Sequence, residues 1–309
     1  MAKNQFMKRK ITLFILCFVA VLAVSVFAHP NTARADMGPK PSINVTLKNL
    51  GDELCFGTIL SDGPTTGPFC AYDPEQNNKD LSFYDSKYYQ QGYVNEEAEL
   101  SWQAFVDYED ADGFYFLQVW WKLGGESNQL HWGYHPPYNF KVLLYYPESN
   151  TFVSSDVYHR YAFDSYFTAN VKNANGNVLT LSKSYDYLSE VVGLLCRIAM
   201  TILIELLIAL LFRIKGRKAM LTILVVNAIT QIALNVALNL IYYFSGVLMY
   251  LLLYFFLEFA VVIVEAVAYS ILLRKCGVPI WKSILYAVVA NVATAVAGFF
   301  LAKWLPGMF

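Results

Sequence analysis

Recognisable catalytic signatures are missing from these 309 residues. There is no HExxH, no GxSxG and no P-loop, so the common marks of zinc hydrolysis, serine-nucleophile chemistry and phosphate cradling are all absent. Histidine occurs only four times and never in the apolar C-terminal part. Cysteine occurs five times, without a CxxC or a Cys/His zinc spacing, and neither a metal nor a cofactor is expected. Cys17 lies in an N-terminal apolar stretch, Cys196 in a later one and Cys276 in a short linker. Only Cys55 and Cys70 share one polar segment. Two readings stay open for them: a disulfide closing a loop of roughly 15 residues, worth about 3 kcal/mol, or two free thiols.

Charge is also scarce, at 15%, against 56% hydrophobic residues, and both are unevenly spread. Residues 36–188 carry twenty acidic and nine basic side chains, whereas Val191 to Leu305 is built mostly of Leu, Ile, Val, Ala and Phe. The acidic half would repel phosphate, which argues against a nucleic-acid partner.

Lys3, Lys8, Arg9 and Lys10 precede an apolar run from Ile11 to Ala28, and Ala33-Arg34-Ala35 offers a small-residue cleavage site before Asp36. This layout predicts a signal peptide over residues 1–35, with an uncleaved anchor as the alternative. Both deliver the following segment across the membrane.

Residues 36–183 read as an extracytoplasmic all-β domain, sandwich-like, with a helical insert. Period-two runs appear at Ile43–Leu47, Phe114–Trp120, Phe140–Tyr146 and Val178–Leu181, with a helix expected from Asn95 to Tyr108. Turn residues punctuate them at Gly124-Gly125, Asn175-Gly176-Asn177 and elsewhere. The run Asp107–Gly113 has the carboxylate density of a calcium loop but the wrong register for an EF-hand, so a solvated acidic turn is the plainer reading. His131 and His135 are four apart, but the prolines that follow deny them a helix. Trp102, Trp120, Trp121 and Trp132 are either a ligand platform or core.

Residues 189–305 read as an α-helical four-helix membrane domain, with spans at about 189–212, 219–244, 247–273 and 280–304, each long enough for a ~30 Å hydrocarbon core. Arg213, Lys215, Arg217 and Lys218 crowd the first linker and Arg274, Lys275 and Lys282 the third, while Ser245-Gly246 in the second is uncharged. By the positive-inside rule both basic linkers are cytoplasmic. The expected topology is a multi-pass plasma-membrane protein with its large N-terminal domain and its C-terminus outside.

Polar side chains in these helices fall at matched depth. Glu205, Asn227 and Glu265 each lie eight residues from a cytoplasmic helix end, about 12 Å deep, with Asn291 slightly deeper. Arg197, Asn235 and Glu258 form a second layer. Asn227, Gln231, Asn235 and Asn239 recur every four residues, so they form one stripe. Arg197 and Glu258 are the expected ion pair, whereas Glu205 and Glu265 have no cation at their depth. The first layer either holds a cation or proton, or glues the helices by hydrogen bonds.

Ala35-Asp36-Met37-Gly38-Pro39-Lys40-Pro41-Ser42, Tyr161–Tyr166, and Val226–Gln231 with Glu258 and Glu265 together resemble an uncharacterised membrane-protein family of clostridial-type Gram-positive bacteria. The resemblance spans nearly the whole chain and implies a cell-envelope setting, without an activity to carry over. The leading expectation is a non-enzymatic membrane protein whose outer domain binds an envelope ligand or a membrane partner. A small transporter, channel or transport subunit is the alternative, with a homo-oligomer implied because four helices make too small a pathway. An intramembrane enzyme is the weakest reading.

Overall fold

A computed structural model describes residues 38–82, 96–124, 127–174 and 178–304. The expected signal peptide and the turns at Gly125 and Asn175–Asn177 lie outside the described residues. The chain divides into two compact units, Pro39–Tyr185 and one that contains everything from Asp186 onward.

The first unit is β-rich. A four-stranded sheet has the order β12-β10-β1-β6, from β1 (Ser42–Lys48), β6 (Gln129–Trp132), β10 (Asp164–Asn170) and β12 (Leu181–Lys183). A second sheet runs β11-β8-β7-β2-β5, from β2 (Cys55–Ser61), β5 (Trp120–Leu123), β7 (Asn139–Tyr146), β8 (Thr151–Ser155) and β11 (Val178–Leu179), with β9 (Tyr158–His159) on β7. A small hairpin, β3 (Thr65–Thr66) and β4 (Phe69–Cys70), stands apart. β1 runs parallel to β10, in register from Ser42 against Asp164 to Lys48 against Asn170, so the four-stranded sheet is mixed.

Alternation explains how the layers stack. On β1, Ile43, Val45 and Leu47 turn inward to meet Phe140, Val142 and Leu144 of β7 in one core. Phe140 and Phe167 of β10 meet edge to face at 5.3 Å across it. Gly57 of β2 permits the sheets to close: a Cβ there would stand 2.8 Å from Leu123 and 2.9 Å from Leu130, on different sheets. The outer face of the larger sheet carries α1 (Glu96–Val106), whose Ala98, Trp102 and Phe105 pack on Phe56, Leu60, Trp120 and Leu143.

Two expectations change here. Of the run 114–120 only Trp120 lies in a strand, as the first residue of β5; Tyr115 makes a single bridge to Ser61, and Gln118 sits at φ +61, which breaks the alternation before β5 begins. Its side chain is the reason for the break. The buried Gln118 amide receives the Asp80 N–H (2.7 Å) and the Trp102 indole N–H (3.2 Å), and donates to the carbonyls of Cys70 (3.2 Å) and Asn78 (3.0 Å). The second change is β2, every residue of which is buried, so it has no period of two to be seen.

The second unit is helical: α2 (Tyr187–Leu211), α3 (Arg217–Leu272) and α4 (Ile280–Trp304), with a 3₁₀ turn at Leu273–Cys276. Asp186 caps α2 by accepting the Ser189 N–H at 3.0 Å. Among the described residues, three helices are long and apolar enough to cross a membrane. The second, Arg217–Cys276, would run about 90 Å if straight. It is broken instead at Gly246, whose φ of +76 and ψ of −178° are open to glycine and not to an L side chain. The halves fold back on each other: Leu234, Leu238 and Ile241 pack against Leu257 and Val261, and the rings of Tyr242 and Tyr250 meet at 6.1 Å. Leu211, Phe255, Phe256 and Phe259 are 66–80% exposed, an outer surface that only lipid tails would solvate well.

Candidate functional site

In the β unit, the features that could carry chemistry are satisfied from within. Lys141 reaches across to Asp110 (2.6 Å) and Asp112 (2.9 Å), so the chain's own ammonium occupies the acidic turn. Burial opposes the charge on Lys141, but hydrogen bonds and attraction from the two aspartates outweigh it and hold its pKa above the usual lysine value. Asp110 also accepts the backbone N–H groups of Asp112 and Phe114. Among the described residues no group of three or more His, Cys, Asp or Glu side chains could hold a metal.

His131 bonds Asn44 at 2.6 Å, and His135 offers its carbonyl to Thr66. Trp102, Trp120 and Trp132 are at most 2% exposed and Trp121 packs against Trp132, so these rings are core and not a platform. Cys55 and Cys70 are both free thiols in this structure, the second of the two readings. Their settings explain why: Cys55 is enclosed at the start of β2, while Cys70 belongs to the separate hairpin and accepts from Asn78 at 3.2 Å. Burial pushes the Cys55 thiol up to about 12, so it stays protonated and inert.

The helical unit is different. Glu205 (α2), Asn227 and Glu265 (the two halves of α3) and Asn291 (α4) are all 3% exposed or less, and they come together. Asn291 donates to Glu265 Oε2 at 2.7 Å and Thr230 donates to Glu265 Oε1. Tyr269 and Tyr286 both donate to Glu205 Oε2, at 3.3 and 3.2 Å. Asn227 lies beside Glu205 but outside hydrogen-bond geometry. Four polar groups of this layer therefore have atoms with no partner: Glu205 Oε1, Asn227 Oδ1 and Nδ2, Asn291 Oδ1 and, nearby on α3, Ser270 Oγ. Three of those atoms are amide or carboxyl oxygens from three different helical segments.

Arg197, Asn235 and Glu258 line one cavity nearer Gly246. Arg197 donates to the amide oxygens of Asn235 and Asn239, each at 3.1 Å. Asn235 in turn donates to the Gln231 carbonyl at 2.9 Å and to its side-chain oxygen at 3.3 Å. The four-residue stripe thus connects this cavity to the deeper layer.

Tyr269, Tyr286 and Thr230 were not singled out in the sequence, because hydroxyl-bearing residues are unremarkable in apolar helices. Their spacing is the available signal: Tyr269 lies four residues after Glu265, and Thr230 three after Asn227. Comparison with known proteins finds no matching family model, no matching curated protein and no matching solved structure.

Proposed function

We propose that this chain is a four-span membrane protein of the cell envelope whose helical unit binds a small monovalent cation, in exchange with protons, at the layer of Glu205, Asn227, Glu265 and Asn291. One observation carries this reading. Buried carboxyl and amide oxygens from three helical segments have no donor, in a place where an unmet polar group costs several kcal/mol. Helix glue would satisfy its own partners. A cation supplies what three acceptor oxygens lack, and its charge offsets that of a carboxylate.

The orientation follows from charge. The fold-back at Gly246 makes two spans of α3, with Arg213–Lys218 and Arg274–Lys282 at the same end and hence in the cytoplasm. The positive-inside rule thus supports an outside β unit, and the signal-like layout of residues 1–35 supports the same side. A transport or ion-coupling subunit fits best, and a homo-oligomer or a larger partner would complete a pathway. Ligand binding by the β unit ranks second, since its tryptophans are used in the core.

The test is thermal stability of the solubilised full chain in NaCl, KCl and a non-ionic control across pH, beside the Glu205→Gln/Glu265→Gln double variant. A cation at a hundred times its Kd stabilises by about 2.7 kcal/mol. Stabilisation by one cation that the variant loses is the expected result. Identical responses of the two proteins would sink the reading.

A further inference from the structure

The carboxylate layer is closed on one side and approached on the other. Toward the basic linkers, Ile208, Ala209, Ile214, Ala219, Ile223, Leu273 and Ala287 form an apolar cluster with Tyr269 and Tyr286, every member at most 8% exposed. The buried Ser283 on the same side spends its hydroxyl on the Pro279 carbonyl at 3.3 Å. Toward Gly246 lies a cavity of about 70 Å³, room for a few water molecules, walled by Arg197, Thr201, Gln231, Tyr254, Glu258 and Thr294 among others. All four helical segments contribute to its wall, and its guanidinium and carboxylate balance in charge. Such a wall suits water, which needs two to four polar partners and finds many here.

The cavity reaches to within one helical turn of the layer. Gln231 lines it, and the adjacent Thr230 donates to Glu265. On α3, Glu258 and Glu265 are two turns apart on one face.

We infer that this cavity is a water-filled port through which the buried carboxylates exchange protons and a monovalent cation with the side on which Gly246 lies, while the apolar cluster seals the opposite side. The inference rests on the cation-binding reading above for its cargo, but the port itself is readable without it. The inner layer selects by charge. The port, being balanced, only admits.

Gly298 provides the means to close it. It lines the cavity, and a Cβ built there meets nothing within 4 Å, so Gly298→Leu fills space without a first-atom clash. Thr201→Leu fills the same cavity from α2 and serves as the second variant should the first fold poorly. The readout is infrared: the carbonyl stretch of protonated carboxyl groups, identified as the band that Glu205→Gln/Glu265→Gln removes, followed after rapid transfer of full-chain proteoliposomes from H₂O to D₂O.

Wild type should exchange quickly, and both filled variants at least tenfold more slowly with unchanged helix content. Wild-type rates in both filled variants would overturn the port. This outcome is separable from failure of the cation reading: if Na⁺ and K⁺ never stabilise the wild type, the cargo is wrong while the exchange rates still report on access. If they do stabilise it and the filled variants exchange freely, the port alone is wrong.

Discussion

The two units treat buried polar groups in opposite ways. In the β unit, Lys141 is locked between Asp110 and Asp112, and the single amide of Gln118 serves four partners. Among the described residues of that unit, only Tyr146 Oη is buried without a hydrogen-bond partner, and it lies beside the Cys55 thiol. In the helical unit, four side chains within one region leave polar atoms unmet, although the surroundings are less forgiving. With that one exception, the buried side-chain polarity of the first unit is met from within and is structural. Polarity in the second leaves carboxyl and amide atoms unmet, and that difference is the ground for the cation reading proposed above.

The contrast can be broken by substitution. Lys141→Ala should have the largest effect, destabilising the β unit by about 3 kcal/mol, because it abandons the 1%-exposed Asp110 carboxylate. Denaturation followed by tryptophan fluorescence would show it, four of the six tryptophans lying in that unit. The pH dependence has a definite sign. Lys141 has a raised pKa, so its contribution is fully present below the ordinary lysine value and is lost only as pH climbs through the higher folded value. The gap between wild type and Lys141→Ala should hold at neutral pH and close, on the alkaline side, beyond the usual lysine range.

Gln118→Ala comes next, at about 2 kcal/mol, since it strands the Trp102 indole N–H and two carbonyls. Asn227→Leu makes the comparison sharp. If the Asn227 amide is unmet in the resting protein, replacing it should change stability in cation-free buffer by less than about 1 kcal/mol, or raise it, while abolishing any response to Na⁺ or K⁺. A loss as large as that of Gln118→Ala would mean the amide is structural after all.

Asp186→Ala should have the smallest effect, a slight loss at the start of α2. Hydrogen bonds from Ser189 hold the Asp186 pKa below the ordinary carboxylate value, so its contribution is present above that value and fades as pH falls through the folded one. Stability of wild type and variant should converge in strong acid. Convergence already near pH 6 would contradict the cap.

Much of this was readable from residue order alone. Unbroken apolar length marked the helices, and the ends at Leu211, Leu272 and Ile280 fall within two residues of where composition placed them. The spacing rule put Glu205, Asn227, Glu265 and Asn291 at one depth, since helical rise is constant and depth is only a matter of counting. Strands β1 and β7 showed themselves by alternation, since Ile43, Val45 and Leu47 and likewise Phe140, Val142 and Leu144 all turn to one core.

What counting could not supply was who meets whom. β2 hid because both its faces are buried, and residues 114–120 misled because Gln118 turns left-handed to serve partners 16 to 48 positions away. Residue types and their periods are local, so the sequence alone determined the two-part layout, the helices and the matched levels of the polar groups along them. Only the tertiary structure decided that the carboxylates are clamped by Tyr269, Tyr286 and Thr230, and that Asn227 is left without a partner. Hydrogen bonding depends on the direction of a side chain across several ångströms between helices, and no one-dimensional spacing encodes that direction.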